Sequence, residues 1–363
     1  MPLDHYLSLG RSGLAVSPLC LGTMGFCDPD GIGMDGNTAK LVFGRYVDLG
    51  GNFVDTSNVY GHGKSESLIG EVIGNASEMR QKLVIATKFS ANLDSGNPNG
   101  GGAGRKAIIH ACEQSLRRLQ TDYIDLYWQH WEDPFVPVEE TMRALDALVT
   151  SGKVRYIGFS DTSAWVTAKA QLLCAFRGWN PLIAIQFEYS LLERTAEAEL
   201  IPMARDQGLG ITPWGPLRGG LLSGKYDRNN QVPESPGRAR WMERDANERF
   251  FALIDVMKDI AHDHATSAAR VALAWLRSRN GVVAPIIGPR KIAQLEDNVA
   301  SLDLVLSPQD IARLDALSTP ELAFPAGFLP LAHRLSYAGV NVNTLQNKAH
   351  AAASASPRQD TQS

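Results

Sequence analysis

Eight short runs rich in β-branched and aromatic residues recur along the chain: LCLGTM ending at Met24, NFVD at Asp55, LVIATK at Lys88, YIDLYWQH at His130, VRYIGFS at Ser160, IAIQF at Phe187, GITPW at Trp214 and VVAPIIG at Gly288. Between them lie segments of helical period. In RKAIIHACEQSLRRLQ, Ile108, Ile109, Cys112, Leu116 and Leu119 fall on one stripe; in VEETMRALDALVTSG, Val138, Met142, Leu145 and Leu148 do the same before Gly152 ends the helix. Strands separated by helices pair in parallel, because each crossover returns the chain to the same end of the sheet. Eight such units predict an α/β fold, a (β/α)8 TIM barrel. Barrels of this kind hold several hundred residues in one unit, so residues 1–345 are expected to form a single domain. From Asn347 the chain reads NKAHAAASASPRQDTQS, which has too few apolar side chains to offset the entropy of ordering; residues 346–363 are expected to be a disordered tail.

Three insertions interrupt the regular spacing: SANLDSGNPNGGGAG after Lys88, WEDPFVP after His130, and a span from about Gly215 to Asp245. They are expected to be long loops over the C-terminal mouth of the barrel. Two further helices are expected at about Lys291 to Ala300 and Pro308 to Leu317. The segment after them, PELAFPAGFLPLAHRLSYAG, has no periodicity and is expected to cover the mouth.

An apolar fraction of 44% is enough for a full core, and a net charge of -4 gives no bulk attraction to nucleic acid or anionic membrane. No apolar run approaches the roughly 18 residues of a membrane span. The expected partner is therefore a small molecule. Cys20, Cys27, Cys112 and Cys174 form neither a CxxC pair nor a zinc-ligand spacing, and MPLDHYLSLG lacks a basic segment followed by an apolar one. A cytoplasmic chain with free thiols and no metal is expected.

Asp55, Lys88 and His130 each close a strand run, and Tyr60 follows five residues after Asp55. In a parallel barrel the C-terminal strand ends share one face, where such barrels keep their active sites, so these four side chains are expected to converge. A phenol ionises near pH ~10. Lowering that value to neutrality takes roughly 4 kcal/mol, about what an ammonium ~4 Å away supplies at an effective dielectric near 20. Asp55 then keeps Lys88 charged and oriented, and His130 hydrogen-bonds a substrate oxygen beside the Tyr60 hydroxyl. For each residue alone, an interior ion pair, a loop aromatic or a satisfied core histidine is the plainer alternative.

With these motifs in order, the chain resembles an aldo-keto reductase, in particular the aryl-alcohol-dehydrogenase-like and potassium-channel β-subunit-like members, from LGRSGLAVSPLCLGTMGF through IIGPRKIAQLEDNVASL. The resemblance implies that Tyr60 is the general acid, assisted by Lys88, Asp55 and His130, and that hydride comes from a nicotinamide lying across the mouth. It implies cofactor contacts at Thr23, Met24, Asp55, Ser160, Asp161 and Gln186, with Trp214 stacked on the nicotinamide. Gly215, Pro216, Leu217, Gly219, Leu221 and Lys225 would wrap the pyrophosphate. Gly288, Arg290, Gln294, Asp297 and Asn298 would form the adenosine site, where an arginine able to pair with a 2′-phosphate favours NADP (NADPH) over NAD. Asp161 stands where asparagine is common, Gly215 where serine is, and Pro289 where a residue with a free N–H is usual.

Two motifs point elsewhere. GIGMDG, Gly31 to Gly36, satisfies a dinucleotide fingerprint, but it follows its strand too late and carries acids that repel a pyrophosphate. His262 and His264 form an H-x-H pair on a helical pattern, where residues two apart diverge, so a metal-dependent hydrolase is disfavoured. His62, Trp128, Trp131, Phe135, Phe324 and Phe328 are candidate substrate-pocket residues, and their bulk suggests an aromatic or apolar carbonyl. The expected function is NADPH-dependent, reversible reduction of an aldehyde or ketone. The alternative is a regulatory subunit that senses redox state through bound NADP(H) with little turnover.

Overall fold

The structure is a computed structural model that describes residues 2–27, 33–73, 77–228, 247–338 and 340 of the 363. The expected tail lies outside these residues. The described residues group into two compact units that divide after Pro320.

The first unit begins with an antiparallel hairpin of β1 (Leu7–Ser8) and β2 (Ala15–Val16). Eight parallel strands follow: β3 (Cys20–Gly22), β4 (Phe53–Asp55), β5 (Val84–Phe89), β6 (Ile124–Gln129), β7 (Val154–Ser160), β8 (Leu182–Gln186), β9 (Gly210–Ile211) and β10 (Ile286–Ile287). Their order is β10-β3-β4-β5-β6-β7-β8-β9. Backbone bonds from Val283 N to Ile211 O and from Ile286 N to Pro213 O join the last strand region to β9, which brings the two edges of the curled sheet together. Each of the eight sequence runs therefore supplies one strand.

Helices α1 (Gly36–Asp48), α2 (Lys64–Ile73), α3 (Ser77–Lys82), α4 (Arg105–Leu119), α5 (Val138–Thr150), α6 (Ala164–Arg177), α7 (Leu200–Gln207), α8 (Glu248–Asp263), α9 (Ala268–Arg277), α10 (Ile292–Ala300) and α11 (Pro308–Ser318) surround the sheet. One large apolar cluster fills the space between sheet and helices, using the stripe residues Ile108, Cys112 and Leu119 of α4 and Met142, Leu145 and Leu148 of α5. A smaller cluster fills the barrel interior and includes Cys20, Phe53, Ala86, Leu126, Trp128 and Ala184.

The hairpin was not foreshadowed by the sequence pattern, since strands of two residues carry no period. It seals the N-terminal end of the barrel: Leu9 and Val16 join the interior cluster, and a Cβ at Gly10 would lie 2.2 Å from the Ile183 carbonyl oxygen. The open end is left to the C-terminal strand ends.

The second unit contains α12 (Leu329–Tyr337), which corrects the aperiodic reading of this segment. Phe328, Leu331, Ala332 and Leu335 keep helical spacing, a short stripe the aperiodic reading passed over, and none of the helix residues is buried.

Candidate active site

The register brings the key strand ends together. Gly22 pairs with Asp55, Asp55 with Ala86, Lys88 with Trp128, and Ser160 with Gln186. Tyr60 opens a short helical turn, Tyr60–Gly63, that leads into α2. This turn is braced from below. Gly63 packs so closely on Arg118 that a Cβ there would lie 2.7 Å from the arginine Cδ. Arg118 Nε in turn donates to Glu66 of α2 at 2.6 Å, and Thr87, the neighbour of Lys88, donates to the other Glu66 oxygen.

All four expected catalytic residues meet. The Lys88 ammonium donates to Asp55 Oδ2, to the Thr56 carbonyl at 2.9 Å and toward the Tyr60 hydroxyl at 3.1 Å. Gln186 Nε2 donates to the second Asp55 oxygen at 3.1 Å. His130 stands edge-on to Tyr60, ring centroids 5.9 Å apart, with its Nδ1 3.1 Å from Ser57 Oγ. Ser57 carried no sequence signal of its own, although it lies two residues past Asp55.

Lys88 is fully buried, and burial opposes its charge; the Asp55 carboxylate and the hydrogen bonds outweigh that penalty, so its pKa is raised. Tyr60 corrects the expectation of a lowered phenol. Burial of its hydroxyl pushes the pKa up, Asp55 and Asp161 add to the rise, and the attraction of Lys88 offsets only part of it. His130 is pushed down to about 2 by burial and by the Lys88 charge, so its imidazole is neutral.

A folded value below that of an unfolded histidine, ~6.5, means that stability is complete above about pH 6.5 and is lost progressively as pH falls below it. The His130 ring resonances are therefore expected to stay flat from about pH 8 down to about pH 5. A His130→Asn variant is expected to lose part of the acid sensitivity of thermal unfolding. A ring that titrated near pH ~6.5 would contradict this placement.

An eight-stranded parallel barrel with these groups at its C-terminal strand ends agrees with the sequence comparison, in which the model of the aldo/keto reductase family matches residues 18–319. The chain belongs to the aldo/keto reductase family. It is 40% identical over 320 residues to an uncharacterized oxidoreductase of Bacillus subtilis, covering 86% of this chain and 95% of that one. It is 34% identical to an aryl-alcohol dehydrogenase of Pestalotiopsis microspora, covering 90% and 85% of the two chains, and 33% identical to a norsolorinic acid reductase of Aspergillus flavus, covering 90% and 84%.

The positions implied for cofactor binding fall into three groups in this aldo/keto reductase. At the strand ends, Met24 is 55% exposed, whereas Thr23 is fully buried and its hydroxyl donates to the Asp55 carbonyl at 3.0 Å, so its side chain braces β4. Ser160 is buried and its hydroxyl has no hydrogen-bond partner among the described residues. Asp161 accepts from the Trp214 indole N–H at 3.0 Å.

In the loop after β9, Gly215 and Gly219 take positive φ values of 65° and 62°. The Lys225 ammonium lies over the same backbone, 3.3 Å from where a Gly220 Cβ would be. The Leu221 side chain is in the core. Arg218, which had not been singled out, is buried and paired with Glu188. Pro216 is buried and Leu217 packs against the core.

At the last strand, Gly288 borders open space, and the Arg290 backbone N–H donates to Gln294 Oε1 at 2.8 Å. Asn298 is buried. Both Asp297 oxygens are engaged within the protein, by Arg270 Nε at 2.8 Å and Ser267 Oγ at 2.9 Å, so Asp297 braces the start of α9.

Of the substrate-pocket candidates, Trp131 is 41% exposed and stacks on His130 at 4.5 Å; His62 and Phe135 are also exposed. Trp128 corrects its assignment: it is fully buried in the barrel interior, where a Cβ at Gly158 would lie 2.4 Å from its ring. Phe324 and Phe328 lie in the second unit, 6.1 Å apart and exposed.

Both decoys have structural partners of their own. Asp35 of the glycine motif caps α1 with its own carboxylate; Gly31 and Ile32 lie outside the described residues. His264 pairs with Asp310 at 3.1 Å. No helix among the described residues is long and apolar enough to cross a membrane.

Proposed function

We propose that this enzyme catalyses the reversible, NADPH-dependent reduction of an aromatic or apolar aldehyde or ketone. The observation that carries the reading is the bonded series Asp55, Lys88, Tyr60, with a neutral His130 set against the phenol. A nicotinamide fits beside it: the buried, unpartnered Ser160 hydroxyl needs a polar partner, and it sits in register with Gln186 at the same strand ends. Arg290, Gln294 and Lys225 are the candidates for the phosphates and adenosine, with Arg290 favouring a 2′-phosphate.

Bound NADPH would supply the hydride to the carbonyl carbon. The protein's part is to place and charge the oxygen. In the tautomer in which Nδ1 accepts from Ser57, the His130 ring carries its proton on Nε2 and can hydrogen-bond the substrate oxygen. Tyr60 gives that oxygen its proton as the carbonyl becomes an alkoxide. An alkoxide is a far stronger base than a phenolate, so a raised phenol pKa leaves this transfer favourable and keeps the acid protonated beforehand. Lys88, held charged by Asp55, stabilises the phenolate until it is reprotonated. The exposed Trp131 against His130 supports a flat, apolar substrate, as does the aryl-alcohol dehydrogenase name of a relative.

The test is a panel of aromatic, aliphatic and sugar aldehydes and ketones, run with NADPH and with NADH and followed by cofactor absorbance. Aromatic carbonyls with NADPH are expected to exceed the other combinations by about tenfold or more in kcat/KM. Tight NADPH binding with no turnover on any carbonyl would instead favour the regulatory reading.

A further inference from the structure

The charged side chains at the strand ends do not balance. Asp55 is paired with Lys88, and Glu188 with Arg218. Asp161 makes no ion pair among the described residues; its side chain accepts from the Trp214 indole. The residue is also held in place by its backbone. It adopts a left-handed φ of 40°, a conformation that aspartate tolerates better than most residues, and its N–H donates to the Gln186 carbonyl at 2.9 Å. A strained backbone over-determined by its neighbours is what functional positions carry. The charge of Asp161 is felt by its surroundings, since it contributes to raising the Tyr60 phenol and the Glu188 carboxyl; burial raises its own carboxyl, and the Trp214 hydrogen bond and Lys88 offset part of that.

A carboxylate can accept from the indole but cannot donate to a carboxamide oxygen. Asparagine at this position would add no charge; aspartate adds one negative charge. A nicotinamide ring is positively charged when oxidised and neutral when reduced, so the two forms respond differently to that charge.

We propose that Asp161 poises the cofactor pair: its unpaired carboxylate, fixed at the indole edge of Trp214, makes this site favour the oxidised nicotinamide over the reduced one. This rests on the reading above, in which the nicotinamide lies beside Ser160 and Gln186, the strand ends that Asp161 adjoins. Reduction breaks the C4–H bond of the reduced ring and delivers that hydrogen with two electrons to the carbonyl carbon, while Tyr60 supplies the proton to the oxygen. Stabilising the oxidised ring therefore makes the bound reduced form a stronger hydride donor. Asp161 acts as a positioning and electrostatic residue rather than a catalytic one.

The experiment is a tryptophan-fluorescence titration of the full chain with NADPH and, separately, with NADP⁺ at about pH 8, where a carboxylate is ionised. It compares wild type with Asp161→Asn, Asp161→Ser and Asp161→Glu. The quantity read is the ratio of the NADP⁺ to the NADPH dissociation constant. We expect it to rise about tenfold in both uncharged variants and by less than about twofold in the glutamate variant. A merely structural role would weaken both forms alike and leave the ratio unmoved. An unmoved ratio in the uncharged variants, or an equal shift in Asp161→Glu, overturns the proposal while leaving the enzymatic reading intact. A wild-type chain that binds neither form overturns both.

Discussion

Tyr60→Phe is expected to lower kcat by about a thousandfold while changing NADPH affinity by less than about twofold. The substitution removes one oxygen and keeps the ring, and so preserves the edge-on contact with His130 and the face that lies 4.8 Å from the Lys88 ammonium. What is lost is the proton donor. Lys88 still has Asp55 and the Thr56 carbonyl as acceptors, so the buried pair survives and the fold with it. Steady-state kinetics on an aromatic aldehyde, with cofactor affinity taken from fluorescence, separates the two effects. Near-normal turnover in Tyr60→Phe would remove the phenol from the mechanism.

Lys88→Met is expected to cost more than activity. Lys88 is fully buried and Asp55 nearly so. Removing the ammonium leaves a carboxylate whose only side-chain donor among the described residues is Gln186, and breaking a buried pair in this way costs about 3–5 kcal/mol. Denaturant unfolding should show that loss. Adding Asp55→Asn should recover a large part of it, because the stranded charge is gone, whereas activity should stay absent in both variants. Equal stability of wild type and Lys88→Met would mean that the pair is solvated. The cycle of single and double variants isolates the pairwise contribution.

The strands and helices of the barrel were readable because each unit carries a periodic apolar pattern tied to burial, as Ile108, Cys112 and Leu119 show on α4. The site was readable because Asp55, Lys88 and His130 are polar residues at the ends of apolar runs, an arrangement burial alone would not retain. What escaped detection depends on partners distant in sequence. Nothing local says that Ser57 meets a ring 73 positions away, or that Arg218 is neutralised by Glu188. Trp128 was misplaced because an indole at a strand end reads alike whether it points to a ligand or into the barrel. Only the absent side chain of Gly158, on the next strand, settles the choice. The sign of the phenol's pKa was equally hidden, since the attraction of one ammonium is local but desolvation is a property of the whole fold.

The indole of Trp128 sits two residues before His130, where it fills the barrel beneath the reacting groups. On the proposed reading it would act as a depth stop, holding a carbonyl at the level of Tyr60 and His130 and leaving the choice among substrates to the walls above. That stop keeps its place because position 158 carries no Cβ, which would lie 2.4 Å from the indole and 2.9 Å from the Ala184 carbonyl oxygen.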